Sequence, residues 1–585
     1  MTPRSAQACL ACKQLKRRCD KVLPECSLCR RTSRSCLYGI EAGPLPTPGE
    51  WADVQARLAA LENILPGFTP PPSTTLAALS TPGNDCSSSL APSSADLVQP
   101  IPPPASPNHG DTAFPAALFV DLDCYIWSHA RLPAPSGSIP APVLALLSQD
   151  NCIIDASRSY FATIHKWLPI VSKKRLDMGL PVRSPGPDLA MLFLAMRVVT
   201  NPLADHQDLT LYRAAKDFLA QLEAEGCVSL LVLQAMVLIA VFEYGQAIYP
   251  AAWMTVGACA RYADILGLAP GEFSLLGQLT TWTESEERRR VWWAISVLDK
   301  LVVVGGRRRP MLSESETEPR LPVDDDVWDL GDASKAFGYP TDTPHETPQP
   351  GFARLCQASV YLNRAIRSAR AKPTVPSPTE VMALADELQS FASAVDRQGG
   401  GCTLETRIHL LASGALARSA LFLVLDRCTC PEKMSAAPGY IPDPRAKTTE
   451  EIDLQIWATA VTQATSRHLH SVAMDVLALV RRRHSADQGA EDQDQEDDDD
   501  SDDTASMHVL GLLGPFVLDA MYESAATFHW FAAETGDESL RAAAADMDGF
   551  LDAASSRWRL ASVYRENMAV YAVDKNTVRE HEGRW

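Results

Sequence analysis

The sequence predicts an all-α chain: a small cysteine-rich head over residues 1–40, a short coiled coil over 51–65, a disordered linker over 66–115, and a large α-helical body beyond. Three observations carry this. Six of the 15 cysteines fall between Cys9 and Cys36. Apolar residues in the body recur at intervals of three and four, with no convincing period-two alternation. Residues 66–115 are rich in Pro and Ser and poor in aromatics, a composition that cannot bury enough surface to fold.

With 585 residues and 46% hydrophobic content, most of the chain can build a core. Its formal charge is −19, yet residues 1–40 hold Arg4, Lys13, Lys16, Arg17, Arg18, Lys21, Arg30, Arg31 and Arg34 against only Asp20 and Glu25. Charge is segregated into a basic head and an acidic body. The opening MTPRSAQAC has no apolar h-region, and the greasiest run, Leu230 to Phe242, contains Gln234 and is too short for a bilayer span. The cysteines from Cys86 to Cys430 show no framework spacing. The expectation is an intracellular, reduced protein without a membrane partner.

The head reads C-x2-C-x6-C twice: Cys9, Cys12, Cys19 and then Cys26, Cys29, Cys36. Structural zinc takes four ligands in a tetrahedron, so two separate all-cysteine sites need eight sulfurs, and six suffice for two ions only if two sulfurs bridge. A single site on Cys9, Cys12, Cys26 and Cys29 leaves Cys19 and Cys36 idle at matching offsets. A cluster of two structural zinc ions is therefore favoured over a one-zinc ribbon or a thiol switch, and disulfides do not suit a chain without export signals. Six thiolates and two Zn²⁺ sum to −2, so the neighbouring cations serve something other than the metal. If residues 12–18 form a helix, Lys13, Lys16 and Arg17 share a face that can enter a major groove, where Lys donates to guanine O6 and N7. Arg18, Arg30, Arg31 and Arg34, with Arg17, suit phosphate contacts. Double-stranded DNA is the expected partner.

These residues resemble the fungal binuclear zinc cluster transcription factors, whose six cysteines follow the same pattern from Cys9 to Cys36. The resemblance implies that Cys9 and Cys26 bridge the ions, that Pro24 is the loop proline often found cis, and that Lys16 reads a CGG-like triplet. Leu15 stands where a second lysine is common, which alters one base contact.

After the linker 41–50, Trp51, Val54, Leu58, Leu61 and Leu65 repeat at spacings of three and four, the seam of a two-stranded coiled coil that Pro66 ends. Its brevity makes it marginal alone, and it predicts a homodimer supported by further contacts. In the body, Leu230, Leu233, Val237 and Val241, then Trp253, Val256, Ala260 and Ile265, predict successive buried helices, with Gly267 ending the second. In TESEERRRVWWAISVLDK, Glu284–Arg288 and Glu286–Arg290 stand at i, i+4. YFATIHKWLPIV, the stretch from Gln234 to Leu268, and EERRRVWWAISVLDKLVVVGGRRRPML resemble the family's middle homology regulatory domain, whose simpler Gly-Arg-Pro signature here carries extra arginines (Gly305 to Pro310). The domain is expected over 116–484, with C-terminal helices over 507–575.

His165, among aromatics, reads as a satisfied core histidine, and Arg288, Arg289 and Arg290 as ion-paired on their helix. A bundle of this kind can hold a small effector, whose chemistry the sequence does not identify. Thr448 and Glu451 form a capping box opening a long helix that ends near Arg481, Arg482 and Arg483. The run EDQDQEDDDDSDD, within an acidic loop over 485–506, is expected to be disordered; it lacks the interleaved hydrophobics of an activation segment.

No GxSxG, HExxH, P-loop or GxGxxG is present, no catalytic residue is predicted, and the reading is not an enzyme. The expected function is a zinc-dependent, sequence-specific transcription factor for RNA polymerase II genes. It is expected in the nucleus as a pathway-specific activator of metabolic or secondary-metabolite genes that engages the transcription machinery. The competing reading is a zinc-organised interaction module or a repressor.

Overall fold

The computed structural model describes Cys12 and residues 17–22, 26–32, 114–128, 132–133, 135, 137–149, 151–177, 186–201, 209–270, 281–305, 308–312, 320–370, 377–401, 403–429, 448–488 and 501–568. The coiled coil expected over 51–65, the linker 41–50, residues 66–113 of the second linker, Pro24 and the tail beyond residue 574 lie outside these residues, while Phe114 and Pro115, expected in the disordered linker, are described. The chain divides into two compact units, Met1–Pro103 and Pro104–Trp585. In the first, α1 spans Ser27–Arg31.

The second unit is all-α over its described residues, as predicted, with an antiparallel bridge from Arg320 to Pro340 the extent of its β pairing there. Short helices α2 (Ala117–Val120), α3 (Leu122–Trp127), α4 (Ala141–Leu147), α5 (Cys152–Ala162) and α6 (Lys173–Asp177) lead into α7 (Pro187–Thr200), α8 (Thr210–Ala224), α9 (Leu230–Gly245), α10 (Ala251–Leu266) and α11 (Trp282–Leu301). Then come α12 (Asp325–Leu330), α13 (Gly351–Arg370), α14 (Pro378–Gln398), α15 (Leu404–Thr429), α16 (Thr449–Gln488), α17 (Ser501–Leu513), α18 (Leu518–Thr535) and α19 (Glu538–Ser555).

Two helices that are apolar on every side organise the packing. α9, capped by the Ser229 hydroxyl accepting the Val232 N–H at 3.2 Å, is buried almost all round and packs on α7, α10 and α11. α15 packs on α13, α14, α16 and α18. Its stretch Arg407–Thr429 is long and apolar enough to cross a bilayer, but 83% of that window is buried inside the protein, where a core helix belongs. The C-terminal elements close onto the N-terminal core. Trp167 donates its indole N–H to Gly511 C=O at 2.9 Å, and Trp558 does the same to Leu510 at 3.0 Å. The Trp558 ring lies so close to Gly245 that a Cβ there would sit 2.4 Å from it, which leaves room for glycine alone.

Local signals are met. Gly267 ends α10 at φ +61°, the left-handed C-cap that glycine adopts without strain. Thr448 and Glu451 cap α16 reciprocally: the Thr448 N–H donates to Glu451 Oε2 at 2.8 Å, and the Glu451 N–H to Thr448 Oγ1 at 3.2 Å. That helix continues past Arg481–Arg483 to Gln488, because no breaker occurs before Gly489. With α17 starting at Ser501, helix takes both ends of the expected loop 485–506, and residues 489–500 lie outside the described set.

The charged start of α11 departs from expectation in one respect. Glu284–Arg288 (2.6 Å) and Glu286–Arg290 (3.1 Å) pair as the spacing predicts, but the turn is buried. Arg290, with no exposed surface, donates to Asp325 Oδ1 at 2.6 Å and to Val323 C=O at 2.7 Å, and stacks over the Trp328 ring at 4.2 Å. Glu286 also accepts the Val323 N–H at 2.9 Å and pairs with Arg289. Glu287 accepts the Ser172 N–H at 2.9 Å and the Gln234 amide at 3.0 Å, and pairs with Arg175. Further along α11, the Asp299 carboxylate accepts the Met311 and Leu312 N–H groups at 2.8 and 3.0 Å, which anchors the end of the arginine-rich segment. His165 is the buried core histidine predicted, its Nε2 3.3 Å from Asp329 and its ring stacked on Trp328.

Arg290→Ala leaves buried Glu286 with Arg289 as its remaining cation and removes the partner of Asp325, and should cost about 3–5 kcal/mol in denaturant unfolding. Arg290→Lys should recover little, since an ammonium cannot serve Glu286, Asp325 and Val323 together. Burial raises the Asp329 carboxyl, but the hydrogen bond and charge of His165, with Arg290 and Lys166, hold it below its ordinary value. A depressed carboxyl contributes stability above its unfolded pKa, and loses it as pH falls through the folded one. Asp329→Asn should therefore destabilise at neutral pH and flatten the acid limb of a melting temperature profile below about pH 4.

A candidate metal centre in a basic module

The first unit assembles its sulfurs from both halves of the repeat. Cys12 Sγ lies 3.7 Å from Cys26 Sγ and 4.0 Å from Cys29 Sγ, and all three side chains are buried. These separations exceed a disulfide's roughly 2.05 Å. They match the edge of a zinc–thiolate tetrahedron, about 3.8 Å for Zn–S bonds of about 2.3 Å. A second group joins Cys19 Sγ, a carboxylate oxygen of Asp20 and Cys26 Sγ, all within 4.8 Å of one another. Cys26 belongs to both groups, as a sulfur between two ions must.

Local folding explains why Cys26 takes this place. It is the N-cap of α1, and its Sγ accepts the Cys29 N–H at 3.3 Å. A thiolate there faces the positive end of the helix, which favours the charged form that binds metal. Asp20 completes the cap by accepting the Ser27 N–H at 3.1 and 3.2 Å. The Ser27 hydrogen bond holds the Asp20 carboxyl below its ordinary value, so it stays an anion. Lys21 makes the intervening turn at φ +60°. The cations lie outside the sulfurs: Arg17, Arg18, Arg30 and Arg31 are exposed, the last two in the final turn of α1 where the dipole favours them.

Residues 7–43 match the fungal Zn(2)-Cys(6) binuclear cluster domain, and residues 158–391 match the fungal specific transcription factor domain. Transcription factor BOA15 of Botryotinia fuckeliana is 38% identical over 176 residues, covering 29% of this chain and 97% of that protein. Transcription factor tazR of Aspergillus terreus is 25% identical over 54% of this chain and 61% of its own length. The citrinin biosynthesis transcriptional activator ctnR of Monascus purpureus is 24% identical over 56% of this chain. The chain spans 58% of ctnR, so with tazR it covers less than two thirds of either. The chain belongs to the fungal Zn(2)-Cys(6) transcription factor family. It is a transcription factor and not an enzyme, and two zinc ions are its cofactors.

For a Zn(2)-Cys(6) module the structure gathers Cys12, Cys19, Cys26 and Cys29; Cys9, Cys36, Lys13, Lys16 and Arg34 lie outside the described residues. Of the stretch 12–18, Cys12 is helical and Arg17 and Arg18 are not, the Arg17 N–H reaching back to the Cys12 C=O at 2.9 Å. Asp20, counted in the sequence only as one of two acids in the head, is the residue to which sequence reasoning assigns no role at the sulfurs. The available signal is an acid directly after a ligand cysteine, one of only two acids in the first forty residues.

The bound ions would fix the two halves of the repeat to each other through Cys12, Cys19, Cys26 and Cys29. Cys26→Ser removes a sulfur common to both groups and should abolish uptake of both zincs by native mass spectrometry. Retention of two ions would refute the shared-ligand reading. Asp20→Ala, which removes the cap and leaves the sulfurs in place, should lower zinc affinity in a chelator competition by the 10–100-fold typical of outer-shell losses.

Proposed function

We propose that Cys9, Cys12, Cys19, Cys26, Cys29 and Cys36 hold the two zinc ions and that the module over residues 1–40 reads CGG-like triplets. Lys13 and Lys16 make the base contacts, and Arg17, Arg18, Arg30, Arg31 and Arg34 meet phosphates. A single module touching three base pairs discriminates weakly, since each pair contributes about 1–3 kcal/mol. The seam over residues 51–65 supplies a second copy as a homodimer. The body, over 116–484 and 507–575, is the regulatory domain. The protein acts in the nucleus as a pathway-specific activator of RNA polymerase II genes. The name of ctnR, a biosynthesis activator, supports a secondary-metabolite gene cluster as the target.

The observation that carries this reading is the placement of charge. Cys12, Cys26 and Cys29 are buried inside the module while Arg17, Arg18, Arg30 and Arg31 are exposed. A purely structural metal knot does not call for an outer layer of guanidiniums, whereas a phosphate backbone does.

Mobility-shift titrations on CGG-containing and scrambled duplexes at several salt concentrations test it. Lys16→Ala should narrow the gap between the two duplexes by about 1–3 kcal/mol, whereas Arg30→Ala should weaken both alike and reduce the salt slope by about one. Equal effects of the two substitutions, or binding indifferent to sequence in the unaltered protein, would return the module to an interaction role.

A further inference from the structure

The start of the second unit carries an apolar surface that neither the core nor the zinc module absorbs. Phe119 and Val120, at the end of α2, are 67% and 83% exposed, and Trp127, at the end of α3, is 82% exposed, with Leu122 and Ile126 also at the surface. Large side chains of this kind cost free energy in water when left uncovered, and a run of them marks an interaction site. The segment is nonetheless held in place. Tyr125 is buried beneath it, Phe114 packs against Gly226 and lies ring to ring with Phe119 at 6.0 Å, and Asp121 caps α3 by accepting the Cys124 N–H at 3.0 Å. It is a displayed surface.

Charge selects the occupant. Asp121 and Asp123 are exposed between the apolar residues, and no Lys or Arg occurs from residue 114 to 130. DNA phosphates and anionic membrane would be repelled. A second copy of the surface would set these acids against their own kind. The complement is an apolar groove with a Lys- or Arg-lined rim, which an acidic-hydrophobic segment enters as a short amphipathic helix. Acids interleaved with bulky hydrophobics are also the composition of activation segments, which the run from Glu491 lacks.

We propose that residues 117–127 are an activation surface that docks into a basic-rimmed apolar groove on a protein of the transcription apparatus. This rests on the reading of the chain as an activator, and names the surface through which it acts.

The test uses the full chain in its source fungus, with chromatin occupancy and transcript level measured together at the genes it occupies. The variants are F119S/W127S and, separately, Asp123→Lys; all three positions are exposed, and Asp121, which caps α3, is left alone. F119S/W127S should lower transcript at occupied genes by about tenfold or more, as loss of a central anchor pair does, and Asp123→Lys should lower it in the same direction. Occupancy, melting temperature and oligomeric state should be unchanged. Unchanged transcript at full occupancy overturns the proposal. So does a fall in occupancy or a change in sedimentation, which would assign the surface to a second copy or to residues 51–65. A chain that occupies no gene at all would instead remove the activator reading, an outcome distinct from both.

Discussion

The body depends on one buried turn of charge, Glu286-Glu287-Arg288-Arg289-Arg290 at the start of α11. Taking an ion out of water costs several kcal/mol, so a buried ion pair is tolerable only when every donor and acceptor is met. Here the Glu286 and Glu287 carboxylates and the Arg290 guanidinium are met by parts of the chain far apart in sequence. Glu287 needs Ser172 and Gln234, Glu286 needs Val323, and Arg290 needs Asp325 and the Trp328 face. Each omission leaves a buried charged group with fewer partners, although Glu286 keeps Arg289 and Glu287 keeps Arg175. Such a network contributes less to net stability than a hydrophobic equivalent would. What it secures is a unique arrangement of α9, the 170s segment and the 320s segment around α11.

The zinc module solves a related problem with almost no core. Its described residues bury little beyond the sulfurs of Cys12, Cys26 and Cys29. A segment this small cannot fold on hydrophobic burial alone, so metal binding is folding free energy. The sulfurs must then be anionic and close together, a repulsive arrangement unless metal, helix dipole and amide donors oppose it. The N-terminus of α1 and the Cys29 N–H, both facing Cys26, supply the part of that opposition that belongs to the chain, while Asp20, itself an anion, adds to the charge the ions must neutralise. In body and head alike, mutual satisfaction of charges does the ordering that side-chain volume does elsewhere.

This also explains what could be read from the sequence. Local rules were legible: the Thr448–Glu451 box, the Gly267 cap, the Glu284–Arg288 spacing and the buried α9 each depend on residues within one turn or one helix. The repeat of C-x2-C-x6-C fixed the metal's stoichiometry by arithmetic, and proximity of Cys12, Cys19, Cys26 and Cys29 follows from it. What stayed hidden was non-local. Nothing in EERRR distinguishes a solvated charged turn from a buried one, because the partners lie some 35 to 115 residues away. α15 was overlooked as the second organising helix since apolar residues on all its faces leave no periodicity to detect.

Segregation of charge ties the two units to a division of labour. The head holds nine cations against two acids, so with a total of −19 the chain after residue 40 is more acidic than the whole. Phosphates therefore attract the head and repel the body, which disfavours nonspecific adhesion of the body to DNA and leaves its surface open to proteins. An exposed apolar segment can persist on such a body because its own acids, Asp121 and Asp123, oppose association between copies. The same acidity that keeps the body off DNA thus narrows the choice of protein partner to one carrying positive charge around a hydrophobic recess.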